Sequence, residues 1–425
     1  MKTYAHGTLY AGLLGIALSL GGCGGGGGGN DSPPGTVLPT TVVAALPLPG
    51  PNTVACSNVA QDFSRLSPGE QVKDYWEGAR TDGGRARYIT DLLAAPADTL
   101  TVTVRAPNDR NLYGSFAGKD VVSVIIVCYP TTTGNPRPDY LLPTGQAVPH
   151  MQTGAELPLF ANAATRYPLL AFSHGYAGSP ISDDYVAALS WFASWGYVVV
   201  APFHGDARIS DVRIDDFNDA VKVISHLSDF TALQTMRPLA MSAALDLVLD
   251  HPQFRDHLNA AQVGGFGASM GGETLMLMGG AGFTVTAGLS STQITLDRRL
   301  KAVAAYIPYF GEPFLPAFGR DQRGLDAVTL PYLAISGTAD TTAPIVMTQQ
   351  GIARLAGTRE LVSLAGVKHG FDKASTNDIF TWSLTFLDAE ARGDASARQK
   401  LSTMASVAGG GDDRVVIPYN GTVAD

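Results

Sequence analysis

The sequence is poor in the patterns that mark several large protein classes. Its 425 residues include only three cysteines, and we find no Cys/His spacing typical of zinc sites, no P-loop and no dinucleotide-binding fingerprint. An excess of basic residues is also missing, since the formal net charge is −9. We therefore expect no metal and no cofactor. Nucleic acid is not an expected partner, and the charge argues against a basic patch for anionic lipid.

The chain also lacks an apolar run long enough to cross a membrane and remain there. Residues 9–20 form a short apolar run after Lys2, which is typical of an export signal. Residues 20–23, Leu-Gly-Gly-Cys, resemble a bacterial lipobox, in which the cysteine (here Cys23) becomes the lipidated first residue. An ordinary signal peptide with a chance cysteine is the alternative. The glycine-rich stretch that follows favours the lipobox, because it suits a flexible tether.

These patterns divide the chain into four parts. We expect a lipoprotein signal peptide at residues 1–23, a Gly/Pro-rich flexible tether at 24–50, one large folded domain at 51–396 and a loosely packed C-terminal tail at 397–425. Such a protein would be an exported monomer, held in the cell envelope by its lipid. Gly24, rather than aspartate, follows the cysteine, which favours the outer membrane if the cell has one.

Two cysteines, Cys56 and Cys128, remain once the signal is removed. An isolated pair in an oxidising envelope suggests a disulfide, and two buried thiols are the alternative. Neither cysteine lies in a turn or beside a base that would suggest a catalytic thiolate.

Strand and helix patterns alternate along the rest of the chain. Residues 100–105 and 121–128 have the pattern of two early strands. Continuous apolar runs, typical of parallel strands covered on both faces, then lie at residues 168–172, 197–201, 263–266, 302–307, 332–335 and 361–364. Helical patterns separate them at residues 183–195, 238–249, 270–278, 344–355 and 376–389. We predict an α/β fold with a mostly parallel, doubly wound sheet and antiparallel N-terminal strands.

The most informative motif is Gly-x-Ser-x-Gly at residues 267–271, with Ser269 at its centre. An apolar run precedes it and a helical pattern follows, which is the strand–turn–helix context of a nucleophile elbow. A serine hydroxyl needs a base, and the base needs an orienting acid. Asp340 follows one later strand and His369 follows the next, in the chain order that such folds use. We therefore predict Ser269, Asp340 and His369 as a catalytic triad.

Backbone N–H groups should stabilise the oxyanion that forms during attack on a carbonyl. We expect one from Met270, directly after the nucleophile, and one from Tyr176 in an earlier loop. His174 precedes the elbow and is expected to support that loop. His204 is expected to line a pocket rather than act as the base, and Glu273 is expected to be structural, near a helix N-terminus.

With these residues placed, residues 99–392 resemble the α/β-hydrolase superfamily. They are most similar to the dienelactone-hydrolase-like group that includes bacterial cutinases and PET hydrolases. The stretches that carry the resemblance are residues 175–177, 269–272, 300–302 with 307–309, and 340–344. Residues 172–175 and 204–206 also resemble the platelet-activating-factor acetylhydrolase type of esterase. The resemblance implies an ester hydrolase in which Tyr176 and Tyr309 flank the bound acyl group.

The chain departs from this group in two respects. Alanine precedes the serine, where histidine or tryptophan is more usual. Segments 206–236, 281–296 and 311–329 are longer than in compact cutinases, so they could cover or narrow the cleft as a lid. The expected substrate is a small-molecule or polymeric ester. A lactone hydrolase or peptidase using the same triad is an alternative, as is a surface lipoprotein that binds without turnover.

Overall fold

The continuous apolar runs of the sequence form the parallel centre of one large sheet. The computed structural model describes residues 38–57, 81–82, 85–86, 100–142, 145–152, 156–176, 178–181, 184–205, 227–286, 290–313 and 315–420. The strands are β1 Thr41–Ala44, β2 Thr53–Ser57, β3 Thr81–Asp82, β4 Arg85–Ala86, β5 Leu100–Arg105, β6 Asp120–Thr131, β7 Tyr140–Leu141, β8 Ala147–Val148, β9 Tyr167–Ser173, β10 Val198–Pro202, β11 Leu258–Ala268, β12 Gly282–Thr286, β13 Ser290–Gln293, β14 Leu300–Tyr306, β15 Gly311–Glu312, β16 Leu315–Pro316, β17 Tyr332–Gly337, β18 Arg359–Leu364, β19 Met404–Ala408 and β20 Asp413–Ile417. The helices are α1 Arg110–Tyr113, α2 Tyr185–Ser194, α3 Leu227–Asp250, α4 Met270–Met278, α5 Ile345–Ile352, α6 Thr376–Glu390 and α7 Ala395–Thr403.

The large sheet has ten strands in the order β2-β6-β10-β9-β11-β14-β17-β18-β20, with β5 also paired to β6. The stretch from β10 to β18 is parallel throughout. At one end, β6 pairs antiparallel with β2, β5 and β10. The predicted α/β architecture, with a mostly parallel sheet and an antiparallel start, is therefore confirmed.

Helices cover both faces of the sheet, which explains the unbroken apolar runs. Along β9, Leu170 and Phe172 face the side covered by α2 and α6, whereas Leu169 and Ala171 face the side covered by α3, α4 and α5. Because side chains alternate along a strand, a strand covered on both sides must be apolar at nearly every position.

The two ends of the described chain are more ordered than the sequence suggests. The tail expected at 397–425 contains β19 and β20, and β20 extends the large sheet by antiparallel pairing with β18. The end of the expected tether contains β1, which pairs in parallel with β19. Residues 38–50 and 397–420 therefore belong to the folded domain. The glycine run that suggested a tether lies in its first half, which is outside the described residues. The expected signal peptide and Cys23 also lie outside them.

Helix α3 begins eleven residues before the predicted start at Pro238. Proline is favoured in the first turn of a helix, but Pro238 lies inside the observed helix. Burial of Ala232, Leu233 and Met236 accounts for the extra turns. The other expected insertions form the β12–β13 and β15–β16 hairpins, while residues 206–226 lie outside the described part.

The predicted disulfide joins Cys56 to Cys128, which face each other across β2 and β6. It closes a loop with a sequence separation of 72 residues. In the chain-entropy model, such a loop contributes on the order of 4 kcal/mol to the free energy of unfolding.

Among the described residues, no helix combines the length and the apolar character needed to cross a membrane.

Candidate active site

The predicted site residues collect at one edge of the large sheet, where its parallel strands end. Ser269 directly follows β11, Asp340 follows β17, and His369 follows β18. Tyr176 and Tyr309 follow β9 and β14 at the same edge. Parallel strands point the same way, so their carboxyl ends lie side by side.

A tight turn between β11 and α4 presents Ser269. Its φ of 52° and ψ of −119° lie in a region that L-residues rarely adopt. Small neighbours are required there, because a Cβ at Gly267 would lie 2.4 Å from the backbone of Gly271, and one at Gly271 would lie 1.9 Å from Ser173 O. The Ser269 N–H donates to Tyr306 O at 3.0 Å. The Gly-x-Ser-x-Gly spacing is thus explained by backbone packing.

The loops after β17 and β18 are joined to each other. The backbone N–H of Ala339 donates to Val367 O at 3.0 Å. Gly337 is required beside this contact, since a Cβ there would lie 2.2 Å from the same carbonyl oxygen. Tyr306 Oη donates to Gly370 O at 2.8 Å, which ties the histidine loop to the end of β14. These contacts hold Asp340 and His369 at a defined separation.

The three predicted triad side chains form a hydrogen-bonded line. Ser269 Oγ lies 2.9 Å from His369 Nε2, and His369 Nδ1 lies 2.7 Å from Asp340 Oδ2. The Asp340 side chain is completely buried, whereas about a quarter of the His369 side chain is exposed. The backbone N–H groups of Thr342 and Ala343 donate to Asp340 Oδ1 at 2.9 and 2.8 Å. One carboxylate oxygen is thereby occupied by the backbone, and the other accepts from the imidazole.

Met270, one of the two residues expected to donate to the oxyanion, directly follows Ser269, and the residue before the other, Tyr176, lies close to Ser269. Met270 is the first residue of α4, and N–H groups in the first turn of a helix lack an intrahelical acceptor. Gly175, which precedes Tyr176, abuts the nucleophile, because a Cβ placed on it would lie 3.6 Å from Ser269 Cβ. The Tyr176 ring packs edge-on against Phe230 of α3, with 5.7 Å between ring centroids.

The two earlier histidines form hydrogen bonds with residues of the segment 173–175. His174 is fully buried, and its Nδ1 lies 2.8 Å from Gly175 O, which agrees with the expected role in supporting the loop. His204 Nε2 lies 2.9 Å from Ser173 Oγ. Burial, followed by the charges of Arg237 and His174, lowers the pKa of His204 well below its usual value.

Two carboxyl groups near the site have raised pKa values. Glu273, on α4, accepts a hydrogen bond from Gln234 Nε2 at 2.7 Å, and burial raises its pKa to about 8. The expected structural placement agrees with this burial, and the raised pKa favours the protonated carboxyl over the carboxylate that a helix N-terminus would stabilise. Burial and the charge of Asp340 raise the pKa of Glu312 to about 7.

Tyr309 is joined to the nucleophile through its backbone and packs against the core through its side chain. Its backbone N–H donates to Ser269 O at 3.1 Å. The residue as a whole is partly exposed, and it packs against the core on the α3–α5 side of the sheet. Burial, followed by the charges of Glu273 and Glu312, raises the pKa of its hydroxyl.

Three supporting residues have no signature in the sequence. Tyr185 Oη accepts from Gly175 N at 3.0 Å, Tyr306 holds the histidine loop, and Arg237 of α3 contacts the carbonyls of the loop after β9. Tyr306 and Arg237 act on segments more than 60 residues away, and Tyr185 acts across ten residues, so the partners are brought together by the folded chain.

Within the described part of the chain, no group of three or more His, Cys, Asp and Glu side chains is arranged to hold a metal ion.

No model of a known protein family matches the sequence, and no curated protein matches it.

Proposed function

We propose that this protein is a serine hydrolase that cleaves carboxylic esters, on a fold of the α/β-hydrolase type. The observation that carries the proposal is the hydrogen-bonded line from Ser269 through His369 to Asp340 at the carboxyl edge of the sheet. A nucleophile, a base in contact with it, and a buried acid that orients the base are the parts that acyl transfer needs.

In the acylation step, Ser269 Oγ attacks the ester carbonyl carbon while His369 Nε2 accepts the hydroxyl proton. Asp340 keeps the imidazole in the tautomer that carries its proton on Nδ1, and it stabilises the imidazolium that forms. His369 then donates its Nε2 proton to the leaving alcohol oxygen as the C–O bond breaks. The acyl group remains on Ser269.

In the deacylation step, water replaces the alcohol. His369 Nε2 accepts a proton from the water as the water oxygen attacks the acyl carbon, and it returns a proton to Ser269 Oγ as the acid leaves. In both steps the N–H groups of Met270 and Tyr176 donate to the oxyanion, which develops only along the reaction path.

The side chains of Tyr176 and Tyr309 would border the acyl group on either side of the attacked carbonyl. Aromatic rings on both sides of the acyl group would favour flat or extended acyl groups. The proposed substrate is a small-molecule or polymeric ester. Supporting this, both tyrosines follow strands that end at the same sheet edge as Ser269. We also propose that the protein is exported and lipid-anchored through Cys23.

The direct test is turnover of p-nitrophenyl esters of increasing acyl length, with Ser269→Ala as the matched control. Wild-type turnover that is lost in Ser269→Ala supports the proposal, and a maximum at short acyl chains would indicate a small-ester or lactone enzyme. Wild-type rates no higher than those of Ser269→Ala would overturn the proposal and favour a binding protein.

A further inference from the structure

A buried arginine lies behind the loop that carries Tyr176. Arg237 of α3 is 1% exposed. Its Nη1 donates to His174 O at 2.8 Å, and its Nη2 donates to Gly175 O at 2.9 Å. One guanidinium therefore binds two consecutive carbonyls of the loop, in the forked geometry that only arginine provides.

These contacts determine the direction of the next amide. The carbonyl of Gly175 and the N–H of Tyr176 belong to one planar trans peptide unit, so they point in opposite directions. With Gly175 O turned towards Arg237, the Tyr176 N–H points away from the guanidinium.

Further contacts hold this peptide and the His174–Gly175 peptide before it. The Gly175 N–H donates to Tyr185 Oη at 3.0 Å, and His174 Nδ1 approaches Gly175 O at 2.8 Å. His174 Nε2 in turn accepts from His204 N at 3.4 Å. Because Nε2 of His174 is the acceptor, we assign its proton to Nδ1, which then donates to Gly175 O. With Arg237 Nη2 as the other donor, Gly175 O accepts two hydrogen bonds, which is the full capacity of a carbonyl oxygen.

Burial of a guanidinium costs free energy unless its donors are satisfied. Here the loop beside Ser269 supplies two of the acceptors, so the placement of the charge and the shape of the loop depend on each other. The positive charge also lies at the carbonyl end of the Gly175–Tyr176 peptide and increases the polarisation of its N–H.

We propose that Arg237 is a positioning residue that orients the Tyr176 N–H as an oxyanion donor. The inference rests on the proposed ester hydrolysis. It gives a role to Arg237, a buried residue that belongs to none of the sequence motifs described above. Arg237 reaches the reacting atoms only through the peptide that it holds.

The test compares Arg237→Met with Arg299→Met. Arg299 is less buried than Arg237, with 27% of its side chain exposed, and forms ion pairs with Asp297 and Asp246. It precedes β14, at the opposite edge of the sheet. Rates are expressed per active serine, titrated to completion with a fluorophosphonate. Phenylboronic acid, which forms a tetrahedral adduct with an active serine, reports on the oxyanion site separately from substrate binding.

For Arg237→Met we expect kcat to fall about 100-fold, the size of effect seen when one oxyanion donor is lost. KM should stay within about threefold, because the ground-state ester gains little from the donor. The inhibition constant of phenylboronic acid should rise in parallel with the loss of kcat. Arg299→Met should keep kcat within about twofold of wild type, even if its Tm falls by as much as that of Arg237→Met.

A kcat for Arg237→Met within about twofold of wild type would overturn the inference, as would a loss of kcat with unchanged boronic acid inhibition. If Arg237→Met does not fold, Arg237→Lys is the second variant, since it keeps the charge without the fork. It should lose at least about tenfold in kcat, and full activity would contradict the role. A wild-type protein that hydrolyses no ester would instead refute the proposed function itself.

Discussion

At the scale of single residues, the backbone of Ser269 shows how the chain presents a hydroxyl. Its φ of 52° costs free energy, and the surroundings maintain it through hydrogen bonds at both ends of the residue. Its N–H donates to Tyr306 O, and its C=O accepts from Gly272 N and Tyr309 N. The nucleophile is therefore held by backbone contacts that substitution of its side chain leaves in place.

Tyr309 is the residue whose substitution should reveal the acyl pocket. Because Tyr309 is a partly exposed residue at the strand ends and its backbone is hydrogen-bonded to Ser269, we expect Tyr309→Ala to lower kcat/KM several-fold to about tenfold, consistent with the 0.5–1.5 kcal/mol of an aromatic contact. The loss should be larger for aromatic or long acyl groups than for acetate. Tm should change little.

Tyr197→Ala is the matched control for Tyr309. Tyr197 is fully buried and bonded to Asp388, so its truncation should lower Tm by several degrees and affect all esters alike. If Tyr309→Ala behaves in this way instead, the ring is part of the core and not of the cleft.

Glu273 should make the stability of the protein depend on pH. Its folded-state pKa of about 8 lies above the ordinary value of 4.5, so the folded state binds this proton more tightly than the unfolded state does. The resulting stabilisation is fully present below pH 4.5 and is lost as pH rises through 8. The glutamine of Glu273→Gln cannot ionise. The free energy of unfolding of this variant, relative to that of wild type, should therefore increase between pH 5 and pH 8.

Denaturant unfolding of both proteins at pH 5, 7 and 9 measures this difference. The gain should be on the order of a few kcal/mol, since each pKa unit corresponds to about 1.4 kcal/mol. Contributions from other titrating groups are common to both proteins and cancel. A difference that stays constant from pH 5 to pH 9 would show that Glu273 ionises as readily in the folded state as in the unfolded one.

At the scale of elements, the parallel strands were predictable because each is buried on both faces and reads as an apolar run. The triad loops followed from the same reasoning, since each lies directly after such a strand. The strand Leu100–Arg105 was located to the residue, because its alternation of apolar and polar side chains matches a half-buried strand.

Elements that depend on distant partners were not predictable. Strand β20 has an ordinary edge-strand composition, and only pairing with β18 makes it part of the sheet. Helix α3 begins before Pro238 because its first turns pack against apolar residues from other parts of the chain. Local helix propensity does not reveal this packing. The contacts of Arg237 join segments more than 60 residues apart, and no local pattern marks them.

The C-terminal strands should contribute measurably to stability. Asp413 accepts hydrogen bonds from Trp382 Nε1 at 2.6 Å and from Val407 N at 3.1 Å. Asp413→Ala would leave both buried donors unpaired, so we expect the free energy of unfolding to fall by about 2 kcal/mol or more. Denaturant unfolding of the purified variant measures the change.

The neighbouring Asp412→Ala is the control for Asp413. The Asp412 side chain is 58% exposed and paired with Arg414 at the surface, where such pairs contribute at most about 1 kcal/mol. Its loss should therefore be small. Equal, small effects from both substitutions would mean that the tail is peripheral, as its glycine-rich sequence suggested.

At the scale of the whole molecule, chain topology determines where the site forms. The connection that leaves β9 leads through α2 to β10 on one side, whereas the connection that leaves β11 leads through α4 to β14 on the other side. Connections therefore diverge at the boundary between β9 and β11, and ligand sites of open α/β sheets lie at such points. The loop carrying Tyr176 and the turn carrying Ser269 are the two segments that border this crevice.

The N-terminal prediction also concerns the whole molecule, because an anchor determines which substrates the site can reach. We expect the protein to fractionate with membranes of its host, and Cys23→Ser to release it or leave it unprocessed. Gly26→Ala, within the glycine stretch, should leave fractionation unchanged. An unmodified N-terminus downstream of Cys23, found by mass spectrometry, would exclude lipidation at this residue.

The central claim is that Ser269, His369 and Asp340 act as one catalytic unit. The most direct measurement is kcat for ester hydrolysis by Ser269→Ala, His369→Ala and the double variant. Each single substitution should lower kcat by about 10⁴-fold or more, and the double variant should be scarcely worse, because removal of either member disables the same step. Asp340→Asn should be milder but still severe. Full activity in His369→Ala, or losses that multiply in the double variant, would contradict the account.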